Sequence, residues 1–167
     1  MPVDFLSLFI LLNSTGIRYV VTGGLAVVLH GVDRLTADVD LAIDLTTGAP
    51  RQLVELLTTA GYRPAAPVDP LGLADDAIRG AWIEQRGMKV FSFWDRDHRR
   101  PTIDVMLENP VPFGELYERS GQVTFRATHI RIASIQDLIR MKQHAGRPQD
   151  IADIARLEEI LSAEHGK

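Results

Sequence analysis

An apolar run that ends on two glycines, Val20-Val21-Thr22-Gly23-Gly24, constrains this chain more than any other feature, because Asp38-Val39-Asp40-Leu41 follows after thirteen intervening residues. A glycine pair at the end of a strand lets the backbone turn sharply into a helix. It also leaves bare N–H groups at the positive end of the helix dipole, where a triphosphate can approach. Residues i and i+2 of a strand share a face, so Asp38 and Asp40 point together. Val39, Leu41 and Ile43 take the opposite parity and read as the buried side. The stretch Thr102-Ile103-Asp104-Val105-Met106 repeats this logic, with Ile103, Val105 and Leu107 buried and Asp104 outward. If the two strands are neighbours, Asp104 lies about 5 Å across the ladder, and three carboxylates there would hold divalent metal. Two ions roughly 3.5 to 4 Å apart can clamp the attacking and leaving oxygens of a phosphoryl displacement.

A bare D-x-D carries little information in a chain with 14 aspartates. A second pair, Asp95-Arg96-Asp97, sits in the polar run Trp94 to Pro101 between two apolar strands and reads as a connecting loop whose charges compensate one another. The first pair stands apart because it lies in a strand, follows a strand-Gly-Gly-helix unit and has a candidate third acid.

Periodicity and punctuation predict helix at 3–14, strand at 18–22, helix at 24–30, strand at 38–44 and helix at 49–60. After an uncertain stretch come strands at 88–94 and 101–107, a short helix at 112–119 and a strand pair at 122–126 and 129–132. The segment Ala65 to Arg79, rich in Pro, Asp and Gly, reads as a surface loop before an amphipathic piece around Ala77 to Gln85. Two helices close the chain. The first begins at Ser134, with Asp137 placed as in a capping box, and stops at Gly146; the second opens on Pro148 and runs to about Ala163. The expected class is α/β (α+β): a mixed sheet with helices on one face, the acids on the open face and a C-terminal helical pair.

The order Gly23-Gly24, then Gly31 to Asp40, then Asp104 resembles the polymerase-beta-type nucleotidyltransferase superfamily. Arg34-x-Thr36-x-Asp38-x-Asp40, with the tail Met141 to Ile154, is similar to small bacterial proteins of the AbiEii-like toxin and related nucleotidyltransferase groups. The resemblance runs from about Arg18 to Leu161 and is weakest over residues 64–87. It implies one nucleotidyltransferase-like domain over 1–167, with a core at 1–110 and a C-terminal hairpin and helices at 111–167. It implies transfer of a nucleoside monophosphate from an NTP to a hydroxyl acceptor, with magnesium, as two ions, and release of pyrophosphate. It leaves the acceptor open between tRNA, a partner protein's side chain and a small hydroxylated molecule. A toxin with a cognate antitoxin is one possibility it raises. A non-catalytic relative, serving as an interaction module such as a neutralising partner, is the alternative.

Within this resemblance Asp38, Asp40 and Asp104 are the expected catalytic and metal-binding residues, and Gly23, Gly24, Thr22, Arg34, Thr36 and Lys142 the expected NTP-binding ones. Each has a plainer reading. The glycines could merely permit a tight turn, and Thr22 could be a strand residue facing solvent. Arg34 could grip a phosphate bidentately or pair with Asp33 or Asp38. Lys142 suits a triphosphate as a point charge, or could share a solvated face with Arg140. Arg147, Asp150 and Asp153 match the family tail, yet acids in the first turns of a helix are favoured by the dipole alone. His30 reads as a helix-end residue rather than a ligand.

Composition adds bounds. With 167 residues, 46% hydrophobic and 24% charged, the chain can build a real core. The absence of cysteine excludes disulfides, thiolate metal sites and a cysteine nucleophile. The apolar run Phe5 to Leu12 is too short to span a bilayer and lacks a basic flank, so the expectation is a cytoplasmic protein with no membrane partner. Net charge is −4, unevenly spread: residues 1–78 hold 4 Lys/Arg against 9 Asp/Glu, and residues 79–147 hold 12 against 8. A basic middle beside an acidic front suits an NTP spanning metal and cations, or a polyanionic acceptor such as RNA.

Overall fold

A computed structural model describes residues 4–166. Helix α1 (Phe5–Asn13) is capped by Asp4, which accepts from the Ser7 N–H at 2.9 Å, and it buries Leu8, Phe9 and Leu12. Residue 3, where the sequence places the start of this helix, lies outside the described residues. Strand β1 (Tyr19–Thr22) runs directly into α2 (Gly23–Leu29), and β2 (Asp38–Ile43) follows a loop. Then come α3 (Ala49–Thr59), β3 (Tyr62–Pro64), a 3-10 turn (Pro70–Ala74), α4 (Asp76–Arg86), β4 (Val90–Asp95) and β5 (Thr102–Met106). The chain finishes with α5 (Phe113–Arg119), the hairpin β6 (Gly121–Phe125) and β7 (Thr128–Ile132), and the helices α6 (Ile135–Ala145) and α7 (Pro148–His165).

The seven strands form one mixed sheet in the order β3-β4-β5-β2-β1-β7-β6. β2 and β5 are parallel neighbours, while β1 and β4 flank them antiparallel. The alternation read from the sequence is visible as burial: Val39, Leu41, Ile103, Val105, Phe91 and Phe93 are wholly buried on one face. Against that face Trp82 of α4 stacks on Phe91 at 5.0 Å, and Phe91 meets Phe93 at 5.1 Å. The C-terminal hairpin joins the same sheet, because β7 pairs parallel with β1 at Val21 and Ile132.

Three local expectations need correction. β3 falls in a stretch with no legible strand signal. It is three residues long and is held as an edge by Tyr62, whose ring is buried and whose hydroxyl donates to the Pro101 carbonyl at 3.0 Å. The start of α6 is only half of a capping box. Ser134 accepts from the Asp137 N–H at 3.1 Å, but the Asp137 carboxylate is taken by Arg119, which donates Nε and Nη2 at 2.9 Å each. The Asp95 loop does compensate its own charge, though not at the surface. Asp95 is 3% exposed and accepts from the Arg99 and Arg100 backbone N–H groups at 2.9 Å and from the Arg100 guanidinium at 3.0 Å.

Those bonds hold the Asp95 carboxyl below its ordinary range against the opposing effect of burial, which alone would raise it. A lowered acid contributes stability above its unfolded value and loses it as pH falls through the folded one. Asp95→Asn keeps the shape and loses the charge. It is expected to cost about 1–2 kcal/mol at pH 7, with a smaller difference from wild type below about pH 4, read from denaturant midpoints at both pH values.

Candidate active site

The β1–α2 junction is tight because of what lies above it. Gly23 has φ of 61°, and a Cβ built there would overlap the Asp40 carboxylate. Gly24 is crowded differently: a Cβ there would come within 3.1 Å of Arg34 Nη2 and of Thr36 Oγ1. The glycine pair therefore does more than permit a turn. It leaves room for the Asp40 carboxylate on one side and for the Arg34 guanidinium on the other.

Across the sheet, register aligns Thr22 with Asp40, Asp40 with Asp104, and Asp104 with Ser92. Four polar side chains thus form one row over four strands, on the face opposite the aromatic core. Asp38, one step along β2, shares that face and is exposed. Burial pushes the Asp40 carboxyl up to about 6, assisted by the neighbouring charges of Asp104 and Asp38, while Lys142 and Arg147 oppose the rise. Asp104 is also raised, by burial first and then by Asp38, against a 2.5 Å bond from the Ser92 hydroxyl.

Among the described residues no three Asp, Glu or His side chains stand close enough together to ligate one cation as they are. Register brings the acids into one row, but Ser92 holds the Asp104 carboxylate toward β4. The donor chemistry still fits a hard divalent ion. All three groups are carboxylates, and a bound cation would offset both the burial that chiefly raises Asp40 and Asp104 and the mutual repulsion that adds to it.

The cationic side is built from the loop before β2 and from the α6–α7 junction. Lys142 is neither free nor on a solvated face beside Arg140. It is buried, with Nζ 2.7 Å from Asp153 and 3.3 Å from Asp150. Arg34 pairs with neither Asp33 nor Asp38, because the first turns of α7 reach the loop and Asp153 takes its Nη1. Asp150 and Asp153 are 1% and 2% exposed, so they are more than solvated acids on a helix dipole. Thr36 Oγ1 lies beside Gly24 and 3.4 Å from the Asp38 carbonyl. Thr22 does not face solvent. It is buried, with its hydroxyl 3.5 Å from the Asp40 carbonyl oxygen. His30 caps α2, its Nε2 2.8 Å from the Ala133 carbonyl oxygen.

Sequence reasoning passed over Ser92. Its signal was present, since Ser92 is the polar residue at the open-face parity between Phe91 and Phe93, and only the strand register makes it a partner of Asp104. Arg147 was visible only as part of the tail. Its Nε donates to Asp150 at 2.8 Å while three-quarters of its side chain stays in solvent.

The family model described as "Nucleotidyltransferase of unknown function (DUF6036)" matches residues 5–164. No curated protein sequence matches the chain. Among solved structures, the lincomycin-bound lincosamide antibiotic adenylyltransferase LnuA is similar at a TM-score of 0.61 and 17% identity, over 96% of this chain and 99% of that one. An antigenic nucleotidyltransferase-like protein from Paracoccidioides brasiliensis is similar at 0.54 and 18% identity, over 90% of this chain and 72% of that one. At such identities these are likenesses of fold. They agree with the mixed sheet and its helices.

Proposed function

The chain belongs to this nucleotidyltransferase family, and on that premise we propose that it is a magnesium-dependent enzyme moving a nucleoside monophosphate from an NTP to a hydroxyl acceptor. The observation that carries the reading is the row Thr22, Asp40, Asp104 and Ser92, lying against a glycine turn whose other side carries Arg34. Asp38 and Asp40 would hold the magnesium that accompanies the triphosphate and, with Asp104, a second ion, supplying charge stabilisation to the displacement. Gly23 and Gly24 keep side chains off the approach path. Arg34, Lys142 and Arg147 offset the phosphate charge. The acceptor oxygen attacks the α-phosphorus, the bond to pyrophosphate breaks, and the acceptor's proton passes to Asp104, whose raised pKa suits a base.

For the acceptor we favour a small or protein-borne hydroxyl over a long RNA. Of the twelve Lys/Arg in residues 79–147, five, Arg79, Arg100, Arg119, Lys142 and Arg147, are ion-paired within the fold. That pairing weakens, without removing, the case for a groove along a nucleic-acid backbone. The Arg34-x-Thr36-x-Asp38-x-Asp40 spacing supports an AbiEii-like relationship, and with it a toxin role met by a cognate antitoxin. The second reading, a non-catalytic interaction module, is favoured by one observation, the sequestered state of Lys142 and Asp104. Among the described residues no helix is long and apolar enough to cross a membrane. We place the protein in the cytoplasm.

The test is thermal stability with each of the four NTPs, with and without magnesium, for wild type and Asp38→Ala/Asp40→Ala. A nucleotide at a hundred times its Kd is expected to stabilise the wild type by about 2.7 kcal/mol. That gain should need both magnesium and the two acids. A wild type that no nucleotide stabilises would put the interaction module first.

A further inference from the structure

The two acids at the start of α7 are buried and fully engaged, which is unusual for residues a helix dipole would tolerate in water. Asp153 Oδ2 accepts from Lys142 Nζ at 2.7 Å and from Arg34 Nη1, and its Oδ1 accepts from Gln149 Nε2 at 3.2 Å. Asp150 Oδ1 accepts from Lys142 Nζ and Arg147 Nη2, both at 3.3 Å, and its Oδ2 accepts from the Arg147 backbone N–H at 3.1 Å and from Nε at 2.8 Å. Three cations thus converge on two carboxylates and leave one positive charge over.

Burying such a cluster costs desolvation that its internal attraction offsets only with good geometry, so it is a weak means of holding a fold together. Its placement suggests another use. Arg34 is anchored through Nη1 to Asp153 while Nη2 is turned to Gly24, so one guanidinium spans the distance from α7 to the glycine turn. Lys142 Nζ shares Asp153 Oδ2 with Arg34 Nη1, so the ammonium sits beside the guanidinium that reaches the glycine turn. The cluster fixes cations from two separate stretches of chain, the loop before β2 and the α6–α7 junction, around two carboxylates.

We propose that Asp153 is a positioning residue for the polyphosphate tail of the nucleotide, holding Arg34 and Lys142 as one unit aimed at the glycine turn, with Asp150 doing the same for Arg147. This rests on the nucleotidyl-transfer reading. Asp153 does not touch the nucleotide; it acts through Arg34 and Lys142. The recognised chemistry is a chain of phosphates, so a nucleoside monophosphate should be nearly indifferent to it.

The experiment is calorimetric binding, in magnesium buffer, of the four NTPs and the four monophosphates to wild type, Asp153→Asn, Arg34→Gln and the double variant. For the best-bound NTP each single variant is expected to weaken binding at least tenfold, with the matching monophosphate changed by less than threefold. The double variant should fall within twofold of the worse single one, because the two residues work as one. Asp153→Asn binding the triphosphate as wild type does, or the two losses multiplying, overturns the inference and leaves the transferase reading standing. A wild type that binds no NTP overturns both. If Asp153→Asn alone does not fold, the double variant, which removes both charges of the pair, is compared with Arg34→Gln. Equality within twofold supports the inference, and a further tenfold loss overturns it.

Discussion

Asp40→Asn is expected to melt higher than the wild type in the presence of a chelator and to lose nucleotidyl transfer by a factor of a thousand or more. The two effects share a cause. Burial and the charges of Asp104 and Asp38 hold the Asp40 carboxyl at about 6, so the folded state keeps a proton that the unfolded chain has released. For an acid raised in this way the sign is unfavourable at neutral pH. The folded state binds more protons between about pH 4 and 6, and stability falls as pH rises through that window. Moving a carboxyl from its ordinary range to about 6 corresponds to roughly 3 kcal/mol, which partial solvent access reduces to about 2. Asparagine removes the charge and with it the penalty, so the gain should appear at pH 7.5 and vanish near pH 4. On the proposed mechanism transfer should be lost because the variant lacks the carboxylate that would hold the metal. Thermal melts at the two pH values, with an assay of pyrophosphate release, check both halves. Full activity in this variant would remove Asp40 from the mechanism.

Gly23→Ala should be as damaging to activity and, unlike the first, should lower stability. Two penalties coincide at one atom. The backbone there has φ of 61°, where a side chain costs about 1–2 kcal/mol, and the new methyl would occupy the space of the Asp40 carboxylate. The carboxylate must move, and a displacement of about 1 Å at a reacting centre can cost a hundredfold in rate. Gly24→Ala provides the internal comparison. Its Cβ meets Arg34 Nη2 and Thr36 Oγ1 at 3.1 Å, a crowding that a few tenths of an ångström relieves, so it should weaken transfer less than Gly23→Ala and keep near-normal stability. If the two alanine variants behave alike, steric competition with Asp40 is not what the first glycine is for.

Much of the architecture was legible because alternation is a local property. The parity of Asp38 and Asp40 against Val39 and Leu41 survives in the sheet, and both ends of α6 and the start of α7 fall where Ser134, Gly146 and Pro148 mark them. What local pattern does not carry is register and reach. That Asp104 faces Asp40, and that Ser92 then holds Asp104, depends on which strands pair and at what offset. The pairing of Arg34 with Asp153 is less legible still, since it depends on where α7 comes to rest, and each residue has nearer partners in sequence. β3 escaped because three residues are too few for a period, and its identity comes from the burial of Tyr62 beneath the Asp95 turn.

The Arg34–Asp153 contact spans 119 positions of chain, and β1 meets β7 only after nearly as long an excursion. Contacts of that range close long loops of chain, so each carries a large entropy of closure. The acids and Arg34 all lie within residues 22–104, whereas Lys142 and Arg147 are supplied by the α6–α7 junction. With that junction undocked, the acid row would face Arg34 as the cluster's one remaining cation and carry a net negative charge. On the proposed function, nucleotide binding would then report that the α6–α7 junction has docked.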